Sequence, residues 1–239
     1  MPHRLQEYYP AKPKHHDLQN AYIIICNSHK ASSALLQQFQ DVRKYRKAKG
    51  TPTDAEQDLL RAMLVFACAG LDSMIKQLIR DALPRVIKAD EGAAAMFLQR
   101  TKKVIYRDNI LNVDLLLSSI MTDAPREVLQ QDLVRDLTSG SLQSVDELLK
   151  AASFFNIPSK SIAPNPQDVK LVFAVRNEIS HEMDIDFSQN NRNRRPRARD
   201  TMIRHVNQVF AVAKAFLEQT DKKLEDRTTG PSVRDKPRR

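Results

Sequence analysis

Apolar residues recur at helical spacing along most of this chain. Tyr22, Ile25, Leu35, Leu36 and Phe39 mark one helix over about residues 17–47. After the break at Gly50-Thr51-Pro52, Leu60, Met63, Leu64, Ala67, Leu71, Met74, Ile75 and Leu78 follow i, i+3, i+4 spacing. They predict a second long helix that runs to Leu83 and is stopped by Pro84. Thr53, with Glu56 three residues on, reads as the reciprocal capping box that opens it. Shorter helices are predicted over 93–106, 113–121, 125–137 and 145–155, the last opened by a second capping box, Ser144 with Glu147. Pro158, Pro164 and Pro166 mark a connector. Asn165 as N-cap, Pro166 at the first helical position and Asp168 two residues later open a late helix. Its core side is read as Val172, Val175, Ile179 and Met183, and it is expected to fray near Asp186. A last helix spans about 200–224, striped by Ile203, Val206, Val209, Phe210, Ala213 and Leu217.

Composition supports an all-α bundle. The 239 residues are 41% hydrophobic and include only 5 Gly against 12 Pro, whereas strand-and-turn folds draw heavily on glycine for turns with positive φ. Trp is absent, so the core must be built from Leu, Ile, Val, Met, Ala and Phe. Cys26 and Cys68 lie inside apolar helical runs and read as buried reduced thiols; a disulfide scaffold or a zinc site needs more ligands at tighter spacing. The most apolar run, residues 63–71, is bounded by Arg61 and Asp72, and the N-terminus lacks a signal-peptide core, so a soluble cytoplasmic protein without membrane contact is expected. His3, His15, His16, His29 and His205 show no metal-ligand spacing, and no metal or cofactor is expected.

The net charge of +9 is unevenly spread. Residues 1–50 hold nine Lys/Arg and three Asp/Glu, residues 192–199 hold five Arg and no acid, and residues 221–239 hold seven bases and four acids. The remainder is net acidic. A polyanionic partner would explain this distribution, and so would loops and tails that merely aid solubility. The basic run Arg43-Lys44-Tyr45-Arg46-Lys47 has a further reading, as cations complementing a helix C-terminus. The chain thus divides into an N-terminal arm and helix (1–50), a helical domain (51–224) and a disordered basic tail (225–239). Residues 1–16 are read as an extended arm. The helix after them is expected to wrap a partner subunit, because a long amphipathic helix rarely stays unpacked.

Chemistry concentrates in Val175-Arg176-Asn177-Glu178-Ile179-Ser180-His181-Glu182. Residues i and i+4 share a helix face, which pairs Asn177 with His181, and the long side chain of Arg176 can swing toward them. A guanidinium, an amide and an imidazole together suit RNA cleavage without metal. Histidine can take the 2′-hydroxyl proton and return one to the 5′-oxygen, and arginine can bind the phosphate as charge builds on it. Asn177 can orient the imidazole or bind phosphate. The products would be a 2′,3′-cyclic phosphate and a 5′-hydroxyl, and DNA, lacking the nucleophile, would be spared. Taken by spacing alone, an Arg and a His five apart are commonly surface residues.

Arg176-Asn177-Glu178-Ile179-Ser180-His181 resembles the Arg-X(4–6)-His signature of HEPN domains, with Asn following the Arg as in many nuclease members. The long earlier helix carrying Asp72 within Ala69-Gly70-Leu71-Asp72-Ser73-Met74-Ile75, and the segment Leu137-Thr138-Ser139-Gly140-Ser141-Leu142-Gln143-Ser144-Val145-Asp146, fit the same family; the resemblance covers about residues 54–220. It implies a HEPN-like helical bundle that dimerises so that two motifs face one cleft. It also implies metal-independent endoribonuclease activity in a toxin–antitoxin or antiphage setting, where an antitoxin or regulatory protein is a possible partner. Arg176, Asn177 and His181 would then be catalytic and Asp72 a polar supporter of the site, although Asp72 is read equally well as an exposed helix residue. Glu178 is read as solvated or ion-paired, and Ser180 as a packing residue. Other members of the family are non-catalytic modules that bind RNA or a partner protein, and that alternative stays open. The loop carrying Arg192, Arg194, Arg195, Arg197 and Arg199 is expected to hang near the cleft and grip the RNA backbone, or else to be a flexible solvated loop.

Overall fold

A computed structural model describes Leu5, residues 11–107 and residues 110–225. Of the N-terminal arm only Leu5 and residues 11–16 are described, and the basic tail beyond Glu225 lies outside the described residues. A short 3-10 turn (His16–Leu18) leads into α1 (Gln19–Tyr45), which lies antiparallel to α2 (Asp54–Asp81). The two are stitched along their length: Asn20 donates to Asp81, Ser28 to the Phe66 carbonyl and Ser32 to the Met63 carbonyl. At the crossing a Cβ on Gly70 would stand 2.3 Å from Ser28 Cβ, so only glycine allows this approach. Ala21, Ile25, Leu36 and Phe39 of α1 are buried in the common core. The helix expected to wrap another subunit packs along α2 of its own chain, whose apolar surface needs covering.

Thr53 and Glu56 form the full capping box, and the buried Glu56 also pairs with Arg43 (3.0 Å) and Arg46 (3.2 Å) at the end of α1. The basic end of α1 thus neutralises a specific carboxylate in addition to complementing the helix dipole. Pro84 does not end the helical run. The break falls at Ala82, and Pro84 sits in the first turn of α3 (Leu83–Ala89), where its missing N–H costs nothing.

By length and composition α2 could cross a membrane, since an 18-residue window of it has mean hydropathy 1.5. Here it is the central helix, with Leu60, Met63, Leu64, Leu71, Met74 and Ile75 fully covered. α10 (Arg199–Glu225) covers it from another side, burying Ile203, Val206, Phe210, Ala213 and Phe216. Phe210 meets His29 edge-on at 5.0 Å.

The remaining elements are α4 (Glu91–Ile105), a two-residue antiparallel ladder of β1 (Tyr106–Arg107) with β2 (Ile110–Leu111), α5 (Val113–Ile120), α6 (Pro125–Ser139), α7 (Val145–Phe154), the single turn α8 (Ser159–Ile162) and α9 (Pro166–Glu182). The fold is all-α, with that ladder the one sheet among the described residues. Two expected caps differ from prediction. Ser144 accepts the Glu147 N–H, but the Glu147 carboxylate turns to Lys150, leaving half a capping box. Asn165 makes no cap bond and donates instead to the Asp168 carboxylate.

Candidate active site

α9 carries the motif. Val169, Val172, Phe173, Val175 and Ile179 form its buried side. Met183, expected to continue that side, is instead 64% exposed, because the chain turns left-handed there (φ 51°) and again at Asp184 (φ 61°) to end the helix. Lys170, Ala174, Asn177 and His181 form the outward stripe. His181 is exposed in the last turn, and its side chain makes no hydrogen bond or ion pair with any described residue.

Arg176 sits nearer the buried side and reaches around it. Its Nη1 donates to Asn177 Oδ1 at 3.0 Å, while its Nε is buried with no acceptor among the described residues. The guanidinium faces Cys68 of α2. Burial pushes that thiol up to about 12, and the positive charge of Arg176 opposes the rise only in part. A thiol so placed is a packing group and no nucleophile. The structure therefore brings Arg176 and Asn177 into contact and puts Asn177 and His181 on one open face.

Asp72 is neither an exposed residue nor a direct member of the site. Its carboxylate accepts the Leu142 N–H at 2.7 Å and pairs with Lys76 at 2.9 Å. It joins none of Arg176, Asn177 and His181 by a hydrogen bond or ion pair among the described residues. Its effect is to hold down the loop before α7, where Gln143 Nε2 reaches the Cys68 carbonyl at 3.5 Å. Between that loop, α7 and α9 lies a cavity of about 440 Å³, walled by Gln143, Asp146, Leu149, Lys170, Ala174 and Asn177.

The arginine block is not a free loop. Ile185 and Arg194 form an antiparallel bridge, and the Arg195 N–H donates to the Asp184 carbonyl. Arg197 Nε donates to both Asp184 carboxylate oxygens (3.1 and 2.9 Å), its Nη2 also pairs with Asp184, and the same Nη2 lies 2.6 Å from Glu178. Arg194 pairs with Asp58, Arg195 with Glu182 and Arg199 with Asp200. Only Arg192 is exposed, at a left-handed turn (φ 47°). The expected grip on an RNA backbone is thus met by four guanidiniums already holding carboxylates of their own chain. Glu178 is ion-paired, one of the two roles foreseen for it.

Asp184 and Arg61, unmarked by sequence reasoning, are the centre of this cluster. Asp184 is fully buried and Arg61 Nε donates to it at 2.7 Å; Arg61 also donates to the Arg195 carbonyl. Burial alone would raise the Asp184 carboxyl, but the Arg197 and Arg61 guanidiniums outweigh it and hold it below the usual carboxylate range. Beside them His205 is pushed down by burial, then by the charges of Arg197 and Arg204. The cluster clamps the turn that ends α9, and so fixes where His181 stands. Among the described residues no three His, Cys, Asp or Glu side chains gather closely enough to hold a metal ion. No protein-family model, curated protein or solved structure matched this chain when it was compared with them.

Proposed function

We propose that the chain is a metal-independent endoribonuclease of the HEPN type that acts as a homodimer, in a toxin–antitoxin or antiphage setting. The observation that carries the reading is the outward face of α9, where His181 stands exposed without a partner among the described residues and Asn177 is held by Arg176. Among the described residues no group forms a hydrogen bond or ion pair with the His181 side chain that an RNA phosphate would have to displace. The proposed reaction needs one group to take a proton and one to give it. His181 accepts the 2′-hydroxyl proton as the 2′-oxygen bonds to phosphorus. The bond from phosphorus to the 5′-oxygen breaks, and that oxygen takes a proton from the partner subunit's His181. Arg176, already turned toward Asn177, stabilises the charge gained by the phosphate. Leu171, 56% exposed on the same helix, offers apolar surface for the second copy.

The test incubates the purified chain with total RNA in EDTA beside a His181→Ala variant. The wild-type chain is expected to leave 2′,3′-cyclic phosphate ends, and the variant to lose cleavage by about 10²–10⁴-fold. Equal cleavage by both would overturn the assignment of His181. RNA bound but left intact by the wild type would return the chain to the non-catalytic, RNA-binding alternative.

A further inference from the structure

We infer that the cavity between α7 and α9 is a nucleotide subsite that takes a base rich in hydrogen-bond donors, guanine before the others, in the RNA strand next to the cleaved bond. This rests on the ribonuclease reading of the α9 face.

The cavity, about 440 Å³, falls within the roughly 300–1,000 Å³ typical of small-molecule sites. Asn177 belongs to both the motif and the cavity wall, so a ligand held there lies one helical turn from His181. Val145, Leu149 and Ala174 give the wall its apolar surface, against which the plane of a base can lie. Two hydrogen-bond acceptors of the wall are without partners among the described residues, while Lys170 and Gln167 are donors left open on the same wall. The Asp146 carboxylate is exposed and makes no hydrogen bond or ion pair among the described residues. Gln143 Oε1 is buried in the wall with no donor. Both are acceptors.

A carboxylate at this place repels a phosphate, so the base and not the backbone must occupy the Asp146 end. Guanine offers its N1–H and N2–H₂ side by side, which a carboxylate accepts together. Uracil offers one N–H between two carbonyl oxygens that a carboxylate repels. Adenine and cytosine each set a single amino group beside a ring acceptor. Single-stranded RNA exposes these edges to protein. The backbone has its own partner in Lys170, exposed and unpaired among the described residues. It lies seven residues before Asn177, roughly 10 Å along the helix axis, where it can neutralise a flanking phosphate.

The experiment uses the full chain carrying His181→Ala, so that cleavage does not deplete the probe. It is titrated by fluorescence anisotropy with labelled RNA heptamers of uridines whose central position is each of the four bases. The guanine heptamer is expected to bind about tenfold tighter than the others. Asp146→Asn, at an exposed position, should remove that preference and leave the other three affinities within about twofold. Lys170→Gln should weaken all four alike and lower the slope of log Kd against log salt by about one. Equal affinity for the four heptamers, or a guanine preference that survives Asp146→Asn, would overturn the inference. No binding to any heptamer would overturn both this inference and the ribonuclease reading. Equal binding with cleavage by the wild type would remove only the subsite, and guanine preference without cleavage would remove only the nuclease.

Discussion

Two regions rich in polar groups lie within a few residues of each other and could hardly be used more differently. The outward stripe of α9 presents Lys170, Asn177 and His181, and of these only Asn177 has a side-chain partner among the described residues, Arg176. The block that follows it carries five arginines, of which 194, 195, 197 and 199 are each paired with a carboxylate of the same chain. Judged by charge alone the block is the better polyanion site. Judged by what remains available it is the worse one at Arg197, whose guanidinium must lose the buried Asp184 before it can take another partner, whereas Arg194, Arg195 and Arg199 pair with the exposed carboxylates of Asp58, Glu182 and Asp200. Positive charge holds the end of α9 in place, and less conspicuous groups are left to meet a ligand.

That contrast can be broken at several points. The largest effect is expected at His181: substitution by alanine should lower RNA cleavage by about 10²–10⁴-fold, while the thermal midpoint stays where it was. A midpoint that fell with activity would mean that His181 serves the fold. Asp184→Ala should do the reverse. It leaves two guanidiniums without their shared carboxylate and should cost about 3–5 kcal/mol in urea denaturation; an unchanged midpoint would remove the clamp from the account. The wild-type protein should also lose stability in acid. The Asp184 carboxyl is held low in the fold, so its contribution is complete above the ordinary carboxylate range and disappears as the pH falls through the lower folded value.

A smaller effect is expected at Asp72, whose replacement by alanine frees the Leu142 N–H and should cost about 1–3 kcal/mol. Faster hydrogen exchange at the Leu142 amide would locate the loss, and unchanged exchange there would detach Asp72 from the loop. The smallest effect is at His205. The fold holds its imidazole below the ordinary value of about 6.5, so the folded state binds fewer protons than the unfolded one. Stability should therefore decline as the pH falls from 7 toward 5, and less steeply in His205→Gln. Parallel declines in the two proteins would refute that assignment.

Much of the fold was legible because its determinants are local. The spacing of Leu60, Met63, Leu64, Ala67 and Leu71 makes one helix face whatever lies elsewhere, and Thr53 with Glu56 closes a cap within four residues. Pro84 misled because a proline reads alike at the end of one helix and in the first turn of the next, and the difference lies at Ala82. Met183 misled because helical periodicity cannot foresee where the chain turns left-handed. At the site, the shared face of Asn177 and His181 followed from helix geometry. The hold of Asp72 on the loop before α7 did not, since its partner Leu142 lies 70 residues away.

By itself the sequence determined an all-α chain, the long central helix and a late helix carrying an amide and an imidazole on one side, because these depend on contacts within a turn or two of the backbone. Which charges are spent and which stay available was decided only by the tertiary structure. The Arg61 guanidinium meets Asp184 across 123 residues and the Arg195 carbonyl across 134. Pairings at such separations depend on how helices pack, and nothing in the local order of residues announces them.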